Sequence, residues 1–389
     1  MAEPRSNWAP VGAFALVSSA NQVAWLTFAP ITTGAAEHYR VGTSTVGLLS
    51  EVFPLVYVLA ALPAARALGR SLRGGLGAGA VLSAAGALLR LGGTGRAGFA
   101  WCLAGQIVVA AGQPLLLNGL VALTQRYLAP ADRPTGIAVG SAGTFLGFVL
   151  AFTSGAAFGA ARVGELLVLD AAYCVVGAVV LGLSLAGPAY ERRAIEPAGL
   201  AELRRLWADE VMRRLVWLVF VGFGVFVALV TWAQPLLQPA GVSSSTVGAF
   251  LTVMVLAGVV SSAFIPPVVA RQRRQLPALV MSGLVTIAGC LLLAAAPGVM
   301  SAAATLAVVG LCLLPGMPVM LEVAERCSPS GAAIGAGLLW WAGNAGGIVI
   351  AGAIGAIEGS PSLAFVLMAT CIVMAAPAAL RLRGQLAPG

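Results

Sequence analysis

The chain of 389 residues contains no lysine, a single histidine, and charged side chains at only 9% of its positions. A soluble domain carries about 25% charged residues, so charge this sparse excludes a fold stabilised in water alone. With no lysine, all 22 basic residues are arginines. There is no Walker sequence, no HExxH, no GxSxG elbow and no Cys/His cluster, so nothing supports ATP hydrolysis or intramembrane catalysis. The six cysteines, at 102, 174, 290, 312, 327 and 371, lie almost entirely in apolar runs without metal-like spacing. They read as small apolar residues, not as a disulfide or metal framework. No enzyme activity, no cofactor and no metal is expected.

What the sequence has in abundance is apolar length: 59% of it is hydrophobic. About 20 apolar residues span a bilayer core of about 30 Å. That ruler marks twelve helices, near 11–34, 44–66, 74–94, 99–122, 135–159, 166–187, 215–238, 246–270, 277–297, 300–322, 331–356 and 361–380. The expectation is an all-α polytopic membrane protein. The opening "MAEPRSNWAP" runs into a stretch too long for a signal h-region, so the first span is expected to be retained. The net charge of +8 suits topology better than nucleic acid. With a cytoplasmic N-terminus, all arginines but Arg40, Arg90, Arg96 and Arg162 fall inside. Short cytoplasmic loops collect positive charge, which places both termini in the cytoplasm. The expected partners are the lipid bilayer and a small-molecule substrate, with no nucleic acid, and the expected form is a monomer in the plasma (cytoplasmic) membrane.

The only long polar segment is "GPAYERRAIEPAGLAELRRLWADEVMRRL", 187–215. Within it Leu203, Leu206, Trp207 and Val211 recur at spacings of three and four, as in a surface-lying helix or a solvated linker helix. It divides the chain into a six-span half at 1–187, a cytoplasmic linker at 188–214 and a second six-span half at 215–389. This plan resembles the major facilitator superfamily (MFS), whose two related halves rock about a midplane site. Span 2 ends in "ALPAARALGRSLRGG" and span 8 in "FIPPVVARQRRQLP", each a proline, an apolar turn and an arginine cluster. The first is similar to the MFS loop motif, with Gly69, Arg70 and Arg73 in place and Ala65 where the motif carries Asp. Arg70 is therefore a candidate gating residue on weakened terms, against the plain alternative of a positive-inside loop. Glycines four apart, at 136/140, 143/147 and 343/347, predict close helix packing.

Polar groups at membrane depth usually face a bundle interior or a wet cavity. Asn21 and Trp25 lie near the middle of span 1, four apart on one face, with Gln22 about 100° away and read as a packing residue that bonds only a neighbour. Span 4 carries Gln106 and Gln113 seven apart, then Pro114, which opens a helix by removing an N–H. Span 7 holds Phe223, Phe226, Trp232 and Gln234; span 11 holds Trp340, Trp341 and Asn344. Each carboxamide alone is also explained by an interhelical hydrogen bond of about 0.6 kcal/mol. Together they suggest a neutral, amide-rich, aromatic-lined site. Aromatic faces attract organic cations. Of the acids, Glu51, two turns into span 2, is a candidate proton or cation carrier, or a side chain snorkelling to headgroups near His38 and Arg40. Asp170 opens span 6, at the interface. Glu322, at the inner end of span 10 near Glu325 and Arg326, reads as a gate residue paired with an arginine.

"NQVAW", "LSEVFPLVYVLAALPAAR", "GQIVVAAGQPLLLNGLVALTQRYLAPADRPTGIAVG" and "LLPGMPVMLEVAERCSPSGAAIGAGLLWWAGNAGGI" resemble the feline leukaemia virus subgroup C receptor-related (FLVCR) family. These are MFS transporters associated with choline, ethanolamine and haem. The resemblance implies ligand contacts at Asn21, Trp25 and Gln113. The helix 7 tyrosine of that family falls at Phe226 or Val227, without a phenol, and the helix 11 glutamine at Asn344, shorter by a methylene. Glu51 replaces an apolar or small residue there, and Trp340 and Trp341 add bulk. The expected activity is alternating-access transport, facilitative or secondary-active, of an organic cation such as choline or a related amine. A proton-coupled drug or metabolite exporter is the alternative, though "GSAGTFLGFVLA" lacks the proline of the helix 5 antiporter motif. A non-transporting receptor or assembly partner is the reading from another class.

Overall fold

The computed structural model describes residues 6–190, 200–327 and 332–382. Both chain ends and residues 191–199 of the expected linker lie outside that range, and with them the expected cytoplasmic placement of the termini. Among the described residues there is no strand, and twelve helical stretches are long and apolar enough to cross a membrane. The chain divides into two compact units, Met1–Phe28 with Gly34–Pro197, and Ala29–Thr33 with Ala198–Gly389. The first unit contains α1 (Ala9–Leu26), α2 (Thr32–Tyr39, its first two residues belonging to the second unit), α3 (Thr43–Arg70), α4 (Leu72–Leu89), α5 (Phe99–Leu117), α6 (Leu120–Tyr127), α7 (Arg133–Phe158) and α8 (Val163–Leu185). The second contains α9 (Leu200–Ala208), α10 (Glu210–Leu237), α11 (Ser244–Arg271), α12 (Gln275–Ala295), α13 (Val299–Leu313), α14 (Gly316–Cys327), α15 (Ala332–Gly355) and α16 (Pro361–Arg381).

Several expected spans are broken, and each break has a proline beside it. Span 1 stops at Leu26, makes a 3-10 turn over Ala29–Ile31 and resumes as α2. Pro30 has no N–H for the Leu26 carbonyl, and its ring disfavours helix at Ala29. The freed turn packs on α10 and α11, within the second unit. Span 4 runs through Pro114 but ends three residues later. Asn118 N–H bonds the Pro114 carbonyl at 3.3 Å and Gly119 N–H the Leu116 carbonyl at 3.0 Å, a tightened last turn before α6. Span 10 breaks between α13 and α14 at Pro315, and span 7 ends in a 3-10 turn over Gln238–Ala240 around Pro239. The fourth spans of both halves therefore share one local device, while span 7, unlike span 1, runs unbroken to Leu237. Discontinuous helices placed in matching positions of two repeats are a feature of transporter folds.

The helices pack through small residues because lipid gives apolar surfaces little reason to seek one another. In the first unit Phe14, Val17, Leu76, Leu116, Leu123, Tyr127 and Leu181 form a buried cluster, while Leu59 and Leu183 point outward. A Cβ on Gly86 of α4 would stand 2.5 Å from the Gly105 carbonyl of α5, and one on Gly112 2.5 Å from the Gly79 carbonyl. The expected glycine pairs also sit at tight places: Gly143 and Gly147 against Ala15 and Ser19 of α1, Gly343 and Gly347 against Phe223 and Val227 of α10. The tightest point of that second seam is Gly346, whose Cβ would collide with the Phe220 carbonyl.

Candidate functional site

In the first unit the carboxamides form one directed hydrogen-bonded chain. Asn21 of α1 donates Nδ2–H to Ser83 Oγ of α4 at 3.0 Å and to the Val109 carbonyl of α5 at 3.2 Å. Gln22 Nε2 donates to Asn21 Oδ1, and Gln113 Nε2 of α5 donates to Gln22 Oε1, both long at 3.4 Å. Ser83 passes its own proton to the Gly79 carbonyl at 2.9 Å. All four side chains are buried. Each amide in the series gives one N–H to the next member, so the amide at the head, Gln113, has its oxygen left over. That acceptor, Gln113 Oε1, is buried without a hydrogen-bond partner, as is Ser19 Oγ. An unmet buried acceptor costs about 1–3 kcal/mol, a cost that a ligand donor would remove.

Gln22 bonds its neighbours, as expected, and those bonds make it the link between Asn21 and Gln113. The helical angle from Asn21 separates Cβ directions, but a glutamine side chain reaches around the helix to its neighbour's amide. The Trp25 side chain joins no carboxamide. Its indole N–H goes to the Ser50 carbonyl at 2.7 Å, while its ring stacks on Phe53 at 5.5 Å and meets Phe148 edge-on at 5.8 Å. Gln106 commits its Nε2 to the carbonyls of Ala24, Trp25 and Leu49 at 2.9–3.3 Å, while its Oε1 is buried without a partner.

The second unit supplies an aromatic group. Phe226 of α10 is buried beside Phe223 at 5.7 Å, and Phe223 meets Trp340 of α15 edge-on at 5.7 Å. Asn344 is buried and donates to the Trp340 carbonyl of its own helix at 2.9 Å. Trp341, the residue after Trp340, is exposed. Trp232 and Gln234 have structural uses: the indole N–H caps the Ala351 carbonyl at 2.8 Å, and Gln234 takes the Thr33 N–H at 2.8 Å and holds its hydroxyl.

The charged candidates are scattered. Glu51 is half-buried on α3. Arg70 is exposed in the last turn of α3, where a cation complements the helix dipole. Arg73, not Arg70, makes the cross-links of that loop, to the Tyr127 hydroxyl at 3.1 Å and the Gly187 carbonyl at 2.9 Å. Glu322 accepts from Gln275 at 3.4 Å; the side chains of Glu325 and Arg326 lie outside the described residues, and so does the expected arginine pairing.

Sequence reasoning missed a buried charge pair in the first unit. Arg90, expected on the outer surface, is 0% exposed, and its Nη2 stands 3.3 Å from Oδ2 of Asp170, 3% exposed and expected at the interface. Arg90 Nη1 donates to the Ala24 carbonyl at 3.0 Å, and the guanidinium lies 5.5 Å from the centre of the Phe28 ring. Thr27 places its hydroxyl 2.5 Å from Asp170 Oδ2. The available signal was one base and one acid, each set inside an apolar run instead of a polar loop. Among the described residues no cluster of three or more His, Cys, Asp or Glu could hold a metal ion.

Twelve apolar helices, two units and matching broken spans accompany a family pattern over residues 14–352, that of the Major Facilitator Superfamily. The chain belongs to this superfamily. It is a multi-pass integral membrane transporter and not an enzyme. Solute carrier family 49 member A3 of Danio rerio is 26% identical over 361 residues, covering 87% of this chain and 76% of that one. A bacterial homologue of the human lysosomal transporter Spinster, inward-facing and unoccupied, superposes with a TM-score of 0.72 at 16% identity over 95% of both chains. The MFS transporter FucP in its outward conformation gives 0.64 at 16% identity, over 97% of this chain and 99% of that one. MFS transporters act on small-molecule substrates within a membrane.

Proposed function

We propose that this MFS transporter carries a small organic cation, choline or a related amine, by alternating access. Its contacts would be Asn21, Trp25 and Gln113 in the first unit and Phe226, Trp340 and Asn344 in the second. The observation that carries the substrate class is the free acceptor at the head of the carboxamide chain, Gln113 Oε1, with Ser19 Oγ also unmet. Acceptors without donors select a ligand that brings a hydroxyl or an N–H. The Phe223, Phe226 and Trp340 faces favour positive over negative solutes, by about 0.5–2 kcal/mol per contact. The narrower kinship with the FLVCR branch rests on its four sequence patches alone. A plasma-membrane location with both termini cytoplasmic follows from the arginine distribution, by the positive-inside rule.

The test is a thermal-shift screen of purified protein against choline, ethanolamine, other amines, haem and organic anions, followed by uptake into proteoliposomes. Stabilisation by an amine, lost in Gln113→Leu, supports the reading. A response to anions alone refutes it. A second reading, proton-coupled export, draws on Glu51, half-buried in span 2. Uptake indifferent to a pH gradient and to Glu51→Gln would dismiss it.

A further inference from the structure

We propose that Asp170 is a proton-binding site whose occupancy sets the hydrogen bonding at the broken end of α1. The proposal concerns a group apart from the substrate contacts, but rests on the reading that α1 carries some of them. It begins with a count of protons. The Thr27 hydroxyl lies 2.8 Å from the Val23 carbonyl and 2.5 Å from Asp170 Oδ2. A hydroxyl has one proton to give. Both contacts are hydrogen bonds at once only when Asp170 supplies a second proton, donating to Thr27 Oγ1 while Thr27 donates to Val23. With Asp170 ionised, Thr27 turns its proton to the carboxylate. The Val23 carbonyl then faces an oxygen lone pair and has to move away.

Arg90 does not fix Asp170 in the charged form. Its nearest nitrogen, Nη2, is 3.3 Å from Oδ2 without forming a hydrogen bond, and Nε has no partner either. Its Nη1 bond to Ala24 and its place over Phe28 remain in both states. The pair is thus a loose ion pair beside a tight hydroxyl relay. The other titratable groups are few. Tyr39 of α2 and Cys102 of α5 are bonded to each other at 3.1 Å and to the Gly93 carbonyl. On α8 itself, Tyr173 is half-buried three residues on, and Cys174, one turn along, donates to the Ala20 carbonyl at 3.6 Å. Arg162 and Glu165, at the entrance to α8, are exposed and paired with each other. The titratable residues of the packed helices α4 and α7 are Arg73 and Arg133, each in its helix's first two residues and engaged elsewhere, with Tyr127 and Leu128 respectively.

The consequence falls on α1. Val23 and Ala24, the carbonyls held by Thr27 and by Arg90, stand between Gln22 and Trp25. One proton on Asp170 therefore tightens the turn that positions both, and its loss relaxes that turn. Acidic residues inside membrane spans commonly serve such proton relays.

Infrared difference spectroscopy of the purified full chain, between acidic and alkaline buffers and without substrate, reads the protonated carboxyl directly. The expected result is a buried carboxylic C=O band that disappears at alkaline pH, is absent in Asp170→Asn and shifts in frequency in Thr27→Val. Hydrogen exchange of peptides covering 20–33, corrected for intrinsic rates, should show protection that falls at alkaline pH in the native chain. That pH response should vanish in Asp170→Asn and in Thr27→Val, and return in Thr27→Ser. A band unchanged in Asp170→Asn, or exchange in 20–33 equally pH-dependent in all variants, overturns the proposal. Should Asp170→Asn fail to fold, the Thr27→Val and Thr27→Ser pair decides alone: an unshifted band with unaltered exchange refutes the relay. None of these readouts uses a substrate, so a wrong substrate class leaves them standing, and their failure leaves transport untouched.

Discussion

Replacing Arg90 with Met tests the buried pair most directly. The guanidinium is wholly enclosed and its partners are the Asp170 carboxylate, the Ala24 carbonyl and the Phe28 face. Breaking a buried ion pair from one side costs about 3–5 kcal/mol, because the surviving charge is left without compensation. Asp170→Asn strands Arg90 in the same way and should fall in a similar range, softened by the Ala24 bond and the ring. The double variant Arg90→Met/Asp170→Asn removes both charges. What it still lacks is the Ala24 hydrogen bond, about 0.5–1.5 kcal/mol, and the Phe28 contact, about 0.5–2 kcal/mol. The double variant should therefore be no less stable than either single one, which requires a coupling at least as large as the larger single loss, about 3–5 kcal/mol. Reversible unfolding by SDS in mixed micelles measures this cycle. The Arg90→Met deficit should also grow with rising pH, since an ionised Asp170 is the stranded charge and a neutral one is not. Losses that add, giving a double variant roughly twice as destabilised as each single, would refute the pairing.

Three further outcomes follow from local geometry. Gly346→Ala pushes a Cβ into the Phe220 carbonyl and should destabilise by about 1–3 kcal/mol, whereas Gly337→Ala on the same helix, with open space around it, should be neutral in thermal unfolding. Trp25→Phe keeps the stack on Phe53 but gives up the bond to the Ser50 carbonyl, so stability should fall by about 1 kcal/mol in the same assay. Gln113→Leu removes the acceptor at the head of the carboxamide chain; amine affinity by calorimetry should weaken about tenfold, equivalent to about 1.4 kcal/mol.

The parts of this molecule that the sequence declared are those governed by composition and by short spacing. Sparse charge and twelve apolar runs of bilayer length left only a helical membrane protein, because unpaired backbone cannot survive in hydrocarbon. The glycine pairs at 143/147 and 343/347 announced close seams for a similarly local reason, since residues four apart share a helix face. Proline marked where helices could fail. It did not say which would: α3 runs on through Pro54 and Pro63, while span 1 breaks beside Pro30. Whether a helix continues past a proline depends on neighbours that satisfy the freed carbonyls, and those come from other helices.

Long-range choices belonged to the tertiary structure. That Gln22 bonds a neighbour was expected; that one such neighbour is Gln113, 91 residues away, was not. That the Trp25 indole N–H is given to the Ser50 carbonyl of α3 could not be read from spacing along α1. Arg90 and Asp170 each read as the surface end of a span, 80 residues apart, and only the packing of α8 on α1 and on the turn after α4 makes them partners away from solvent. Burial is a property of what surrounds a residue. The sequence by itself determined which residues could enter a membrane; the fold decided which polar groups satisfy one another there and left Gln113 Oε1 without a partner.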